Sequence, residues 1–132
     1  MTYDRIPRLL AVDDDPDSAE LIVRVAERCG YEAFATSDSR GVVSLTKALD
    51  PDILTVDICM PNIDAVELFH LLSEAGINAQ ILIVSGQDES VLEDTRQIAL
   101  KLGLKVPYTQ QKPLDFQRLR EMFVAPEVQA AC

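Results

Sequence analysis

The sequence is poor in basic residues and has no tryptophan. Its 132 residues include 12 lysine and arginine residues against 22 aspartate and glutamate residues, which gives a formal net charge of −10. A protein that binds the phosphate backbone of nucleic acid needs clustered cations, and this chain has few to cluster. The shortage of positive charge argues against nucleic acid as a direct partner.

Cysteines and long apolar runs are also scarce. The three cysteines, Cys29, Cys59 and Cys132, are odd in number and form no CxxC pair, so the sequence indicates neither a disulfide framework nor a zinc site. No apolar run reaches the roughly 18 residues of a membrane span, and the amino-terminal segment is polar. We therefore expect a cytoplasmic protein with reduced thiols and no membrane partner.

The sequence is rich in short apolar runs that alternate with longer amphipathic segments, with no linker or repeat between them. Such alternation is typical of a parallel sheet covered by helices. We predict a doubly wound α/β fold, a flavodoxin-like three-layer sandwich of five helices on five parallel strands in the order 2-1-3-4-5. With 48% hydrophobic residues, residues 1–132 would form a single domain whose core spans about 8–123, followed by a short tail at 124–132.

Capping residues and helix breakers set the expected bounds of these elements. Asp15 and Pro16 are typical of a helix start and Gly30 of a helix end, while Gly41 interrupts the second helix. The predicted strands are 8–12, 31–36, 53–56, 80–84 and 105–110. The predicted helices are 16–29, 37–49, 64–75, 88–102 and 114–123.

Acidic residues directly follow two of the predicted strands. Asp13 and Asp14 come after the first, and Asp57 comes after the third, which is apolar except for Thr55 and typical of a central strand. In the order 2-1-3-4-5 the first and third strands flank the crevice where open α/β sheets bind ligands. Clustered carboxylates repel one another, and Mg²⁺ is a hard cation that would neutralise them. Ser85 and Lys112 follow the next two strands and complete a site suited to a phosphoryl group.

Four motifs, LLAVDDD, DILTVDICMPNIDAVEL, ILIVSG and QKPLD, lie in this order around the first, third, fourth and fifth strands. On these motifs the chain resembles the receiver domain of two-component response regulators, with a fold like that of the chemotaxis regulators, from about Arg8 to Phe123. The resemblance implies a bacterial signalling protein and not an enzyme with a separate substrate. Nearly the whole chain is covered by it.

The resemblance also implies a role for each site residue. Asp57 would accept a phosphoryl group from a sensor histidine kinase or a histidine phosphotransfer protein, and Ser85 and Lys112 would bind the group once it is transferred. The implied Mg²⁺ ligands are Asp13, Asp14, Asp57 and the backbone carbonyl of Cys59. The Lys112-Pro113 bond would be cis, as is usual in the family.

Two features of the sequence depart from the family pattern or modify it. Thr109 lies three residues before Lys112, where many receivers carry the tyrosine or phenylalanine that turns inward on activation. Tyr108 is adjacent, but strand alternation predicts that it faces the opposite side of the sheet. Cys59 and Gln87 occupy the two positions whose side chains resemble those that tune the lifetime of the phosphoryl group.

The sequence allows several interpretations of how phosphorylation would be passed on to a partner. Phosphorylation would act through the face formed by the fourth helix, fifth strand and fifth helix, which could also form a homodimer. The downstream partner would be a separate protein or a fused output domain. The stretch LGLKVPYTQQKPLD resembles the ends of receivers that precede cyclic-dinucleotide phosphodiesterase domains.

Two alternative functions remain open from the residues alone. One is an interaction module that works without phosphorylation, because the inward-turning aromatic residue is missing. The other is a phosphatase resembling the haloacid-dehalogenase-like enzymes, since Asp13 and Asp15 have their Asp-x-Asp spacing. Asp17 occupies the position where those enzymes have threonine, which weakens this second reading.

Overall fold

The computed structural model describes residues 5–60 and 64–124, and the predicted tail beyond residue 124, including Cys132, lies outside these ranges. The strands are β1 (Arg8–Val12), β2 (Glu32–Thr36), β3 (Ile53–Asp57), β4 (Gln80–Ser85) and β5 (Lys105–Gln111). The helices are α1 (Pro16–Arg28), α2 (Val42–Leu49), α3 (Ala65–Glu74), α4 (Glu89–Lys101) and α5 (Phe116–Val124), with a 3₁₀ turn at Ser39–Gly41.

The five strands form one parallel sheet in the order β2-β1-β3-β4-β5, which confirms the predicted topology. Alternate strand residues face opposite helical layers. Leu10, Leu54 and Ile83 belong to a core cluster with residues of α2, α3 and α4. Leu9, Ile53 and Leu82 belong to a second cluster with residues of α1 and α5. The chain therefore folds as the predicted three-layer sandwich.

The ends of the helices follow the predicted signals. The Asp15 side chain accepts the N–H of Asp17 and Pro16 is the first residue of α1, so both act as expected. Gly30 has a φ of 94° just beyond the helix, a conformation that costs glycine little and other residues more. The predicted interruption at Gly41 is also confirmed, because the 3₁₀ turn ends there and α2 begins at the next residue.

The strands that carry the site residues run one residue further than predicted. Asp57 and Ser85 are the last residues of β3 and β4, and β5 extends to Gln111. For β3 and β4 the prediction stopped at the last apolar residue, Val56 or Val84, whereas the main-chain pairing of the sheet continues through the polar residue that follows. Asp57 and Ser85 are consequently held by the sheet itself and not by loops.

The start of β2 and several helix bounds also differ from the sequence prediction, by one or two residues at most ends and by five at the start of α2, which begins at Val42. β2 begins at Glu32, because the main-chain N–H of Tyr31 donates to the Ala26 carbonyl at the end of α1 at 3.0 Å. The Tyr31 side chain is buried against α5, and its hydroxyl donates to the Phe123 carbonyl at 2.7 Å. α5 begins at Phe116, because the side chain of Asp115 accepts N–H groups of the first turn and so caps the helix. Within the described ranges, each helix is too short or too polar to cross a membrane.

Candidate functional site

Four of the predicted site residues lie together at the carboxyl edge of the sheet. Asp57 and Ser85 end β3 and β4, while Asp13 and Lys112 directly follow β1 and β5. These strands are parallel neighbours, so their carboxyl ends open on the same edge. Asp13, Asp57 and Ser85 are 2%, 3% and 0% exposed, so two carboxylates and a hydroxyl are buried side by side.

Lys112 joins the two buried carboxylates. Its Nζ lies 3.0 Å from Asp13 Oδ2 and 3.0 Å from Asp57 Oδ2. The two aspartates are 99 and 55 residues away from Lys112 along the chain. A single ammonium group therefore bridges the ends of β1, β3 and β5 across the crevice.

Main-chain N–H groups fix the direction of both carboxylates. The N–H of Cys59 donates to Asp57 Oδ1 at 2.8 Å, and the N–H of Asp15 donates to Asp13 Oδ1 at 2.9 Å. Each carboxylate thus has one oxygen held by its own loop and the other oxygen beside Lys112. The loops orient the acids before any ligand binds.

Burial and charge shift the pKa values of Asp13 and Lys112. Burial raises the pKa of the Asp13 carboxyl, and the hydrogen bonds from Asp15 and Lys112 offset this only in part. For Lys112, burial works against the ammonium, but hydrogen bonds and attraction from Asp13 and Asp57 outweigh it and raise its pKa. Lys112 therefore stays charged at neutral pH, whereas ionised Asp13 lacks full compensation.

The acidic residues suit a hard divalent cation. Asp13, Asp14 and Asp57 each offer a carboxylate oxygen, and these oxygens lie within 4.8 Å of one another. Asp14 is exposed, so the cluster opens to solvent. Lys112 Nζ donates its hydrogen bond to Asp13 Oδ1 at 3.3 Å, so the buried Oδ2 is ion-paired with Lys112 but accepts no hydrogen bond within the described residues. Three carboxylates beside one ammonium leave an excess of negative charge, which an oxygen-preferring cation would balance. The predicted contribution of the Cys59 carbonyl stays a prediction.

Ser85 is tied to Lys112 through the main chain. The N–H of Lys112 donates to the Ser85 carbonyl at 2.7 Å, and the N–H of Gln87 donates to Ser85 Oγ at 3.2 Å. The Ser85 hydroxyl thus accepts one bond and keeps its own hydrogen for another acceptor. The Lys112-Pro113 peptide bond is cis, as the sequence motif implies.

One contact at the rim of the site was not expected from the sequence. Gln87 Nε2 donates to Cys59 Sγ at 2.8 Å and so joins the loop after β4 to the loop after β3. Sequence analysis identified both residues, but as separate positions. Their equal offset of two residues from Asp57 and Ser85, on neighbouring strands, is the signal that could have paired them.

The expected orientations of Tyr108 and Thr109 are confirmed. Tyr108 packs against the core cluster on the α1 and α5 side of the sheet. Thr109 pairs with Ile83, whose side chain belongs to the cluster on the α2, α3 and α4 side. Tyr108 therefore does not replace the aromatic residue that is missing at position 109.

The geometry defines a limited chemistry. A buried carboxylate of fixed orientation can attack an electrophile, while an ammonium group and a hydroxyl nearby can bind the anion that results. No histidine lies among these residues to act as a general base for Ser85. The arrangement therefore favours Asp57 over Ser85 as a nucleophile.

Comparison with known proteins places the chain in a family. A family model described as the response regulator receiver domain matches residues 9–124. The chemotaxis protein CheY of Treponema pallidum is 34% identical over 119 residues, which cover 86% of this chain and 78% of that protein. The alkaline phosphatase synthesis transcriptional regulatory protein PhoP of Bacillus subtilis is 27% identical over 96 residues, or 73% of this chain. The chain spans only 39% of the length of PhoP.

Solved structures agree with the sequence matches. A response regulator from Colwellia psychrerythraea superposes with a TM-score of 0.80 at 28% identity, covering 95% of this chain and 99% of that one. A signal receiver domain from Bermanella marisrubri gives a TM-score of 0.73 at 26% identity, covering 89% and 95%. Since the family model covers almost all of the described residues and the fold agrees, the chain belongs to the response regulator receiver domain family of two-component systems.

Proposed function

We propose that this receiver accepts a phosphoryl group on Asp57 from a sensor histidine kinase or a histidine phosphotransfer protein. The observation that carries the proposal is the buried Asp57 carboxylate, which is pinned by the Cys59 N–H and lies 3.0 Å from the Lys112 ammonium. The family is one of signalling receivers and not of classical enzymes. Under the proposal the chain catalyses only transfer to and loss from its own aspartate.

The chemistry would be a direct displacement at phosphorus. An oxygen of ionised Asp57 forms the new P–O bond while the P–N bond of the phosphohistidine donor breaks, and the leaving imidazole nitrogen keeps the bonding electron pair. Lys112 would hold one oxygen of the transferred group as a point charge, and the Ser85 hydroxyl would donate to another. No general base is needed, since Asp57 attacks in its ionised form.

Magnesium is part of the proposal. Asp13, Asp14 and Asp57, with the Cys59 carbonyl, would hold Mg²⁺, and the ion would offset negative charge on the phosphoryl group during transfer. The buried Asp13 Oδ2 has the Lys112 ammonium beside it at 3.0 Å but accepts no hydrogen bond within the described residues, which supports its use as a metal ligand. A cytoplasmic location is also part of the proposal, in keeping with the free Cys29 and Cys59.

Phosphorylation would change the partner-binding face through shifts of Ser85 and β5. It adds about −1.5 to −2 charge next to Lys112 and Ser85, which are already joined by a main-chain hydrogen bond. A shift of either residue would reach the face of α4, β5 and α5, where we place the contact with a separate partner protein or a fused output domain. Response regulators interact with kinases and output domains, and transcriptional regulators are among the relatives of this chain.

The phosphatase reading gains no support from the structure. Asp15 would be the second acid of its Asp-x-Asp pair, yet its carboxylate accepts the N–H of Asp17 and the hydroxyl of Ser18 at the start of α1. An interaction module that ignores phosphate remains the second candidate. Equal partner binding before and after phosphorylation would favour it.

The central test is phosphoryl uptake from a small donor. We expect the intact mass to rise by one phosphoryl group on incubation with acetyl phosphate and Mg²⁺, and the adduct to be lost with hydroxylamine, as an acyl phosphate should be. Chelating the metal with EDTA should prevent uptake. If acetyl phosphate, phosphoramidate and a phosphorylated donor protein all leave the mass unchanged, the proposal is wrong.

The raised pKa of Asp13 predicts how stability depends on pH. A carboxyl group whose pKa is raised on folding stabilises the folded protein at pH values below its ordinary pKa of 3.8. This stabilisation is lost as the pH rises through the raised pKa. The metal-free protein should therefore gain less stability, or lose more, than Asp13→Asn as pH rises from about 4 to about 7. Mg²⁺ should narrow this difference, because it binds the ionised form.

Thermal unfolding of both proteins across this pH range, with and without Mg²⁺, measures the effect. If the melting temperatures of the two proteins change equally with pH in the absence of metal, ionisation of the Asp13 carboxyl does not destabilise the fold and the prediction is wrong. Asp94→Asn is the matched control, since Asp94 is an exposed acid on α4. Its curve should follow that of the wild type.

A further inference from the structure

A groove of about 620 Å³ lies along the outer edge of the sheet, between α4 and α5. Its floor is the end of β5 and the turn that follows, residues 109–113. One wall carries Glu89 and Leu92 of α4, and the other carries Asp115 and Arg118 at the start of α5. Thr109 faces the α4 side, so a small side chain lies where an aromatic ring would take up part of this space.

The floor of the groove is an unpaired strand edge. β5 is an outermost strand and pairs with β4 alone. The Lys112 N–H points to β4, where it donates to the Ser85 carbonyl. Main-chain groups alternate in direction along a parallel strand, so those of Gln110 also point to β4, and those of Thr109 and Gln111 point outward. Over the ranges that the structure covers, these four outward groups have no strand beside them.

The rest of the β5 edge is closed. Arg96 of α4 donates from Nε to the Val106 carbonyl at 2.7 Å, and Pro107 has no N–H to offer. Proline and a covering side chain are ordinary means of protecting a sheet edge from further pairing. The protection stops short of Thr109, so the open part of the edge coincides with the groove.

Gln110 places a mostly buried polar side chain at the floor of the groove. Gln110 lines the groove and is only 6% exposed, and its Oε1 has no hydrogen-bond partner within the described residues. A buried acceptor without a partner costs about 1–3 kcal/mol. That atom is itself closed off from solvent, so a bound chain would pair with the main-chain groups of Thr109 and Gln111 and not with the Gln110 side chain.

We propose that this groove binds an extended segment of a partner protein, which adds to β5 as a sixth strand and carries lysine or arginine side chains. The alternating outward N–H and C=O groups of Thr109 and Gln111 are the pattern that an extended chain recognises. The walls carry two acidic side chains, Asp115 and Glu89, and one basic side chain, Arg118. Lys112 on the floor does not change this balance, because its ammonium is already paired with Asp13 and Asp57. A basic segment therefore complements the groove as well as the net charge of −10.

A second copy of this chain is the competing occupant, since a homodimer on this face was predicted from the sequence. Each copy would bring a charge of −10 toward the other, which opposes pairing at low ionic strength. The inference rests on the partner contact proposed above for the face of α4, β5 and α5, but it is independent of phosphoryl transfer. The groove and its unpaired edge are present without a phosphoryl group, so binding can be measured even if Asp57 accepts none.

The test uses peptides selected from a random decapeptide display library against the full chain. Binding peptides should be basic, and methylating their backbone nitrogens one at a time should weaken binding at every second position only. In the protein, amide exchange of Thr109 and Gln111 should be fast without peptide and slow with it. The amides of Gln110 and Lys112 should be slow in both states.

Two variants of the same residue separate backbone from side-chain recognition. Thr109→Pro removes one outward N–H without touching the pairing with β4, and should weaken peptide binding about tenfold or more. Thr109→Val keeps the N–H and nearly the same shape, and should change binding about twofold at most. Unchanged phosphoryl uptake and urea midpoint in both variants would show that the fold is intact.

Several outcomes would overturn the inference. The inference is wrong if the library yields no binding peptide or only acidic ones, or if the bound peptide is helical. It is also wrong if Thr109→Pro binds the selected peptides as tightly as the wild type. A concentration-dependent dimer that Thr109→Pro abolishes would instead assign the groove to a second copy. Failure of phosphoryl uptake in wild type and variants alike would count against the proposed function and leave the peptide result readable.

Discussion

Asp57→Asn is expected to abolish phosphoryl uptake from acetyl phosphate, lowering its rate by at least about 100-fold. The asparagine amide keeps the shape of the carboxylate and can still accept the Cys59 N–H at the position of Oδ1. It is not a nucleophile at neutral pH, and Lys112 keeps its ion pair with Asp13, so the loss would be mainly chemical. Intact-mass measurement over time gives the rate directly.

Asp94→Asn and Asp13→Asn make the result specific. Asp94 is an exposed acid on α4, and its variant should match the wild type. Asp13→Asn should slow uptake and raise the Mg²⁺ concentration needed, because it removes a predicted metal ligand and leaves the nucleophile. Uptake that survives in Asp57→Asn but is absent in Asp13→Asn would reassign the acceptor to Asp13, as the phosphatase reading requires.

Lys112→Met is expected to produce the second large effect, on stability and on transfer together. Its ammonium is the cation that bridges Asp13 and Asp57, whose side chains are 0% and 5% exposed. Methionine has a similar length and no charge, so two buried carboxylates would face each other uncompensated. Loss of one partner from a buried ionic group costs about 3–5 kcal/mol, and phosphoryl uptake should fall about 100-fold.

Urea unfolding and phosphoryl uptake measure these two consequences, and Lys105→Met is the matched control. Lys105 lies at the opposite end of β5 and is exposed. In the described part of the chain, its side chain hydrogen-bonds only to Asn78 Oδ1. Mg²⁺ should restore much of the stability of Lys112→Met, since it neutralises the same acids, but not the full rate of uptake. If Lys112→Met behaves like Lys105→Met in both measurements, Lys112 has no electrostatic role in the site.

Much of the site could be predicted because each residue is placed by local sequence. Asp57 follows a mainly apolar run, and Asp13 follows another, so both acids were assigned to strand ends before any fold was known. In a parallel sheet the ends of neighbouring strands meet at one edge, which brought Ser85 and Lys112 into the same prediction. The ends of the strands were predicted less accurately, because main-chain pairing continues through polar residues that the hydrophobic pattern assigns to loops.

The structure added contacts that no periodicity encodes. Gln87 and Cys59 are 28 residues apart, and their hydrogen bond depends on how two loops meet above neighbouring strands. β5 carries an irregularity as well. Lys105 pairs with Gln80 but Tyr108 with Leu82, so β5 has one residue more than β4 over this stretch. Val106 and Tyr108 consequently pack in opposite core clusters, where strict alternation would put them in the same one.

The strand order was implied by the resemblance of the four motifs to receiver domains, whereas the sequence by itself determined the fold class and the identity of the acids, lysine and hydroxyl at the sheet edge. These follow from hydrophobic periodicity and from turn residues, which act over a few neighbouring positions. Only the tertiary structure decided that one Lys112 ammonium bridges both buried acids, and that the edge of β5 is open at Thr109 and Gln111. Such features depend on strand register and helix packing, which are set by the whole core at once.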